Sequence, residues 1–242
     1  MNRNNFTDLK IHGLRIDWDR ISRNSYLRDI AAVSGLEELE FTSPVTFFVG
    51  ENGTGKSTLL EAIAVQFGFN PEGGTKNYSF ATYDSHSELY DALTLIRGAR
   101  RAKWGYFLRA ESFYNVATAE AEYSQMGGVP LDLHEKSHGE SFLATVQENF
   151  KPSGLYLMDE PEAALSPQRQ LAMLVEIAKC AEQDSQFIIV THSPILLALP
   201  GAEILSFDEG SIHPCSYEET ESYKVTEMFI NEREHILDLL LR

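Results

Sequence analysis

The chain has 242 residues, of which 20 are basic and 36 acidic, so its net charge at neutral pH is −16. A field of that sign repels the phosphate backbone of nucleic acids, and two cysteines are too few for a disulfide scaffold or a cysteine-based zinc site. The sequence has no apolar stretch long enough to cross a membrane and no apolar signal-peptide core near its start, so we expect a cytoplasmic protein.

Short apolar runs alternate with helical patterns along the chain, which is typical of an α/β fold. Strands are predicted at 9–17, 45–49, 155–158 and 187–190, and a hairpin at 91–97 and 106–110. Helices are predicted at 56–67, 139–150, 167–182 and about 223–241. Strands that alternate with helices form parallel sheets covered on both faces. We therefore expect one α/β domain over residues 1–242, with a mainly parallel sheet flanked by helices and an attached antiparallel part.

The clearest motif lies between the strand 45–49 and the helix 56–67. Residues 50–57 read GENGTGKS, which fits the phosphate-binding pattern G-x-x-x-x-G-K-[ST] at every position. Glycines let such a loop wrap around a phosphate, and the following helix supplies free N–H donors and a positive dipole. Lys56 would neutralise the β- and γ-phosphates, and the Ser57 hydroxyl would bind Mg²⁺. The predicted nucleotide-binding residues are Asn52, Gly53, Thr54, Gly55, Lys56, Ser57 and Thr58.

Polar residues also follow two other predicted strands. Asp159 and Glu160 end the run LYLMDE, and His192 is the second residue after the strand 187–190. Parallel strands end at one edge of a sheet, so Asp159 is expected near the bound Mg²⁺, in the Walker B role. Glu160 could polarise the attacking water as general base, and His192 could reach the γ-phosphate. The residues therefore predict a site that binds a nucleotide phosphate with Mg²⁺ and activates water beside it.

The order and spacing of these motifs resemble those of the ABC-type ATPases, the superfamily of transporter motors and chromosome-maintenance (SMC-like) proteins. The resemblance is strongest to small stand-alone ATPases of the ABC/AAA-like group and extends over about residues 40–205. The segments that carry it are PVTFFVGENGTGKSTLLEAIA, DEPEAALSPQRQ and QFIIVTHSPILL. Residues 137–141 (SHGES) occupy the position of the superfamily's LSGGQ-like signature. The resemblance implies that Ser137 and Gly139 contact a γ-phosphate held by a partner subunit. It also implies that Glu111 replaces the Q-loop glutamine near the metal, and that residues 164–167 cross a dimer interface.

As a whole, the resemblance implies an ATPase that uses ATP and Mg²⁺, closes as a head-to-tail homodimer around two nucleotides, and acts on an unknown protein partner. A nucleotide-gated switch or DNA-associated clamp with little turnover is one alternative, and the motor subunit of a transporter is another. The segment between Lys56 and Ser137 is too short for coiled-coil arms of the SMC type.

Three other features leave alternatives open. The basic residues within 97–103, with Trp104 beside them, could contact a nucleic acid or the acidic face of a partner, or could be a solvated hairpin tip. Trp18 and Tyr26 are candidates for stacking on adenine, although packing is the commoner role for such residues. The terminal helix is expected to pack on its own domain.

Overall fold

The structure is a computed structural model that describes residues 9–75, 88–109 and 147–241. Its strands are β1 (Ile11–Ile16), β2 (Glu38–Glu40), β3 (Val45–Val49), β4 (Gly74–Thr75), β5 (Leu93–Arg97), β6 (Trp104–Arg109), β7 (Gly154–Asp159), β8 (Gln186–Val190), β9 (Glu203–Ser206) and β10 (His213–Pro214). Its α-helices in these ranges are α1 (Ala31–Ser34), α2 (Lys56–Phe67), α3 (Leu89–Ala92), α4 (Pro167–Glu182), α5 (Pro194–Leu197), α6 (Glu221–Asn231) and α7 (Arg233–Leu240).

A seven-stranded sheet forms the centre of the molecule. Its strand order is β10-β9-β3-β8-β7-β6-β4, and the five strands from β9 to β6 are parallel to one another. The short edge strands β10 and β4 pair antiparallel with their neighbours. Helices cover this sheet, so the predicted α/β fold with a mainly parallel sheet is confirmed. The order also brings the carboxyl ends of β3, β7, β8 and β9 to one edge.

A second sheet of three antiparallel strands, in the order β2-β1-β5, is the predicted antiparallel part. The predicted hairpin is wrong, because β5 pairs with β1 whereas β6 pairs with β7 and β4. The reason lies in the burial of β6, where Tyr106, Phe107 and Leu108 are all buried. A strand with apolar residues on both faces needs cover on both faces, which the interior of a parallel sheet provides.

Helix α2 lies between the two sheets and is buried on nearly every side. Its buried residues follow no single stripe, which is the pattern of a helix inside a core. Helix α4 covers the opposite face of the large sheet with Met173, Ile177 and Cys180. Gln186 joins the two sheets: its Oε1 accepts hydrogen bonds from the backbone N of Lys10 and of Ile11, both at 2.8 Å, and its Nε2 donates to the Ile11 carbonyl.

The predicted helices 56–67 and 167–182 have the predicted bounds in α2 and α4. Of the predicted helix 139–150, only its last few residues are described, and 147–149 are helical. The predicted terminal helix is two helices, α6 and α7, separated at Glu232, where the backbone leaves helical angles. Among the described helices, none has the length and apolar character needed to cross a membrane.

The expectation that the terminal helix packs on its own domain is met only in part: α6 contacts α5, and the ring centroid of Tyr223 lies 4.7 Å from that of Tyr217. Neither α6 nor α7 has a buried residue, and several large apolar side chains are exposed there. They are Val225, Met228, Phe229, Ile230, Leu239, Leu240 and Leu241. An apolar stripe in a sequence indicates that a helix is amphipathic, but it does not identify the surface that would cover the stripe.

Candidate functional site

The loop between β3 and α2, residues 50–57, is shaped by three glycines with positive φ. Gly50, Gly53 and Gly55 have φ of 134°, 84° and 94°, angles that L-residues with a side chain rarely adopt. Gly55 also sits against α1, because a Cβ at this position would lie 2.6 Å from Cγ2 of Val33. The loop therefore needs its glycines for two reasons, backbone conformation and close packing.

The side chain of Lys56 turns back into this loop. Its Nζ donates to the carbonyls of Gly50 and Glu51, both at 2.6 Å, and the residue is 4% exposed. Burial lowers the pKa of Lys56, and nearby carboxylates act in the opposite direction. These carboxylates belong to Glu160, Asp208 and Asp159. The arrangement holds a cation in the position where a phosphate would enter the loop.

Ser57 and Asp159 meet across the sheet edge. The Ser57 hydroxyl donates to Oδ1 of Asp159 at 2.8 Å. Both groups offer oxygen atoms, which are the ligands that Mg²⁺ prefers, and Mg²⁺ in phosphate sites commonly takes only one or two ligands from the protein. The donor pair therefore fits the predicted metal.

Glu160 and His192 lie beside this pair. Glu160 Oε1 is 3.8 Å from Nε2 of His192, and their side chains are 45% and 41% exposed. Glu160 has left-handed backbone angles, φ 48° and ψ 54°, and its N–H donates to the Val190 carbonyl at 3.0 Å. Such a conformation costs about 1–3 kcal/mol in a residue other than glycine and persists where the surroundings impose it, often at functional sites.

Glu162 is a third acidic residue near this pair, and it contacts the backbone of His192. Its Oε1 accepts the backbone N–H of His192 at 2.5 Å, while its Oε2 is buried without a hydrogen-bond partner among the described atoms. Burial raises the pKa of Glu162, and the bond from His192 opposes this in part.

We expect Glu162→Gln to change how stability depends on pH. Because the folded-state pKa of Glu162 is raised, its contribution to stability is fully present below the unfolded value of about 4.3 and declines as the pH rises through the folded value. The glutamine variant should therefore gain stability relative to the wild type between pH 4 and neutrality. Urea unfolding across this range measures the difference, and a difference that does not vary with pH would contradict the assignment.

Two residues at the site were not predicted from the sequence. Asp208, just after β9, accepts the Glu51 N–H on Oδ1 at 2.9 Å and so supports the 50–57 loop. Arg109, at the end of β6, has its Nε 3.8 Å from Oδ2 of Asp159 and bonds Glu61 at 2.8 Å. Asp208 belongs to no motif, and β9 itself was not predicted; Arg109 begins the segment 109–112 at the Q-loop position, where only Glu111 was predicted to act. The register of β6 on β7, in which Arg109 is opposite Asp159, is the signal that sequence reasoning lacked.

Comparisons with known proteins show similarity to AAA domains on both sides of the site. One family model, described as "AAA domain", matches residues 26–112, and a second, described as "AAA domain, putative AbiEii toxin, Type IV TA system", matches residues 141–198. The chain resembles the AAA-domain ATPases. The predicted resemblance is therefore confirmed, and AAA-domain matches extend over both sides of the site.

Among solved structures, the SMC head domain from Thermotoga maritima is 16% identical to this AAA-like chain, with a TM-score of 0.46 over 86% of this chain and all of the other. A structure described as "An inward-facing conformation of a putative metal-chelate type ABC transporter" is 14% identical, with a TM-score of 0.45 over 81% of each chain. The comparison with curated proteins finds no match.

A cavity of about 1090 Å³ lies beside the 50–57 loop. It is lined by Gly53 and Thr54 of the loop, by Ile30 beside α1, and by Lys224 in α6. Neither candidate for adenine stacking is among the described lining residues. Trp18 Nε1 donates to the Leu36 carbonyl at 2.8 Å, and the ring packs against the core, so Trp18 has a structural role here.

The remaining predicted site residues lie outside the described ranges. They are Ser137 and Gly139 of the signature-like segment and Glu111 of the Q-loop position, and all three stay predictions. Within the described ranges, Asn52 and Thr58 belong to the 50–57 loop and the first turn of α2, as expected.

Proposed function

We propose that this protein binds ATP with Mg²⁺ and hydrolyses it, working as a homodimer that closes around two nucleotides and transmits its nucleotide state to a protein partner. One observation carries the proposal. Four parallel strands end side by side, so that Lys56, the Ser57–Asp159 pair and the Glu160–His192 pair meet at a single sheet edge.

Phosphate binding rests on the 50–57 loop. The start of α2 offers unpaired N–H groups and the positive end of the helix dipole to an anion. Lys56 adds a full charge in a buried position, where electrostatic attraction is stronger than in water. The cavity beside Gly53 and Thr54 is large enough to receive the base and ribose.

Ser57 and Asp159 would hold Mg²⁺ together with the phosphate oxygens. Bound there, Mg²⁺ supplies positive charge that offsets the negative charge developing on the transferred phosphoryl group. Arg109, whose Nε lies 3.8 Å from Oδ2 of Asp159, would balance the negative charge of that carboxylate.

Hydrolysis requires a water molecule aligned with the γ-phosphate, and Glu160 has the chemistry to polarise it. The left-handed turn at Glu160 directs the chain from β7 towards the edge where His192 follows β8. The facing atoms of Glu160 and His192 are 3.8 Å apart and form no hydrogen bond. Each side chain can therefore contact a different part of the reacting group. Glu160 would face the water, and His192 would face the γ-phosphate.

Closure by a second copy is supported by the exposure of the site in a single chain. Glu160 and His192 are nearly half exposed, and nothing lies within 4 Å of a Cβ placed on Gly53. Water at such a surface screens the charges that stabilise a transition state. A second subunit, presenting Ser137 and Gly139 to the nucleotide, would exclude this water.

ATP binding and phosphate release by the purified chain test the proposal, with Lys56→Ala as the decisive variant. We expect Lys56→Ala to bind ATP about 10- to 100-fold more weakly, because the loss of one charge-assisted contact to phosphate costs about 1.5–3 kcal/mol. The exposed Lys103→Ala is the matched control and should leave ATP affinity unchanged.

Isothermal titration measures affinity, and a coupled phosphate assay measures turnover. Equal ATP affinity in the wild type and Lys56→Ala would contradict the assigned loop. Tight binding without phosphate release above that of Lys56→Ala would favour the alternative, a nucleotide-gated switch.

A further inference from the structure

The Glu160–His192 pair needs an external support, because these two side chains do not hold each other. Their facing atoms are 3.8 Å apart, which is beyond hydrogen-bond distance, and both side chains are partly exposed. Nε2 of His192 has no hydrogen-bond partner among the described atoms. The position of His192 relative to Glu160 must therefore be set by residues behind them.

Gln170, in α4, connects the two loops that carry this pair. Its Nε2 donates to the carbonyl of Leu165 at 3.0 Å, in the segment that follows Glu160. Its Oε1 accepts the hydroxyl of Ser193 at 2.6 Å, in the residue that follows His192. One side chain thus bridges the loop after β7 and the loop after β8.

Ser193 is itself held by the helix that follows it. Its hydroxyl oxygen accepts the N–H groups of Ile195 and Leu196, both at 3.2 Å, as the N-cap of α5. The hydroxyl hydrogen is therefore available for Gln170, and the loop after β8 is anchored on two sides.

Glu162 provides a second connection between the same two loops, through its bond to the backbone N–H of His192. Keeping a carboxylate buried with one oxygen unpartnered costs stability. Groups that reduce stability in this way are found where function requires them.

We propose that Gln170 and Glu162 are positioning residues, which lock His192 to the segment after Glu160 so that both reach the γ-phosphate and the water as one unit. This inference rests on the proposed hydrolysis. In the proposed dimer, residues 164–167 lie at the subunit interface, so contact with the second subunit would be transmitted through Gln170 to His192.

A double-mutant cycle tests the proposal, with Gln170→Leu and His192→Ala made singly and together. Gln170→Leu keeps the approximate volume and removes both hydrogen bonds. We expect it to lower kcat about 10- to 100-fold, since misplacement of a reacting group by about 1 Å has effects of this size, while the Kd for ATP stays within about twofold. Gln168→Leu, exposed on the same first turn, is the matched control and should have wild-type kcat.

In the His192→Ala background, Gln170→Leu should lower kcat less than about twofold, because the residue through which it acts is already gone. A purely structural role would not produce this result, since it would lower kcat equally in both backgrounds. Gln170→Glu keeps the acceptor for Ser193 and loses the donor to Leu165, and should have an intermediate kcat.

Each outcome decides the question. Wild-type kcat in Gln170→Leu, an equal loss in both backgrounds, or full activity of His192→Ala would overturn the positioning role while leaving hydrolysis intact. A wild-type chain that releases no more phosphate than Lys56→Ala would instead refute hydrolysis, and the positioning role would fall with it.

Discussion

Glu160→Gln is expected to bind ATP as tightly as the wild type and to release phosphate about 10²–10⁴-fold more slowly. The amide has nearly the shape of the carboxylate, so the backbone turn and the contact region around His192 should persist. It cannot accept the proton of the attacking water, which removes base catalysis alone. The loss should therefore appear in kcat, with the Kd for ATP unchanged.

The contrast with Asp159→Asn separates base catalysis from metal binding. Asp159 bonds Ser57 and lies near Arg109, and no role for it in proton transfer is proposed. Asp159→Asn should lose activity because it binds Mg²⁺ more weakly, and a higher Mg²⁺ concentration should restore part of the activity. Turnover by Glu160→Gln should not respond to added Mg²⁺. If Glu160→Gln turns over at the wild-type rate, the general base is a different residue.

The slow variant also tests the dimer, because it accumulates the ATP-bound state. Light scattering of Glu160→Gln with ATP and Mg²⁺ should give twice the monomer mass, and the mass should fall without nucleotide, since binding energy contributes to the interface. A monomer that has demonstrably bound ATP would refute closure by a second copy and would leave the assignment of Glu160 untouched.

Sequence reasoning succeeded where local chemistry determines structure. The bounds of α2 follow from the glycine at its start and the apolar spacing within it, and Pro167 marks the start of α4 because proline fits the first turn of a helix. The same reasoning selected Lys56, Glu160 and His192, because each comes after a strand that is recognisable on its own, and their roles stay predictions.

Sequence reasoning failed where the pairing of distant segments determines the structure. The partner of β5 is β1, almost eighty residues earlier, and no local pattern distinguishes that partner from the nearer β6. Arg109 and Asp208 became visible as site residues only once the strand order placed β6 beside β7 and β9 beside β3. The apolar stripe on α6 identified a helix but not its packing.

Gly55→Ala is expected to be among the most damaging single substitutions in the 50–57 loop, and Gly53→Ala is its matched control. Both glycines have positive φ, 94° and 84°, so alanine at either position incurs about 1–2 kcal/mol of backbone strain. They differ in their surroundings. A Cβ at Gly53 meets nothing within 4 Å, whereas one at Gly55 lies 2.6 Å from Val33 and 2.7 Å from Ile30.

The clash at Gly55 is not easily relieved, because Val33 is fully buried and its β-branched side chain has few alternative rotamers. Overpacking of this kind adds about 1–3 kcal/mol to the strain. Urea unfolding should therefore show a clearly larger loss for Gly55→Ala than for Gly53→Ala. ATP affinity should fall further in Gly55→Ala as well, since moving its backbone displaces the N–H groups at the start of α2.

A third variant identifies the origin of the difference. Val33→Ala removes the methyl group that Gly55→Ala would strike, so Gly55→Ala should cost less in the Val33→Ala background than in the wild type. The two costs then differ by the part of the packing contribution that Val33 makes, because the backbone strain and the contact with Ile30 are present in both. If Gly53→Ala and Gly55→Ala instead lose equal stability, the loop tolerates a side chain beside α1. The positive φ alone would then explain why residue 55 is a glycine.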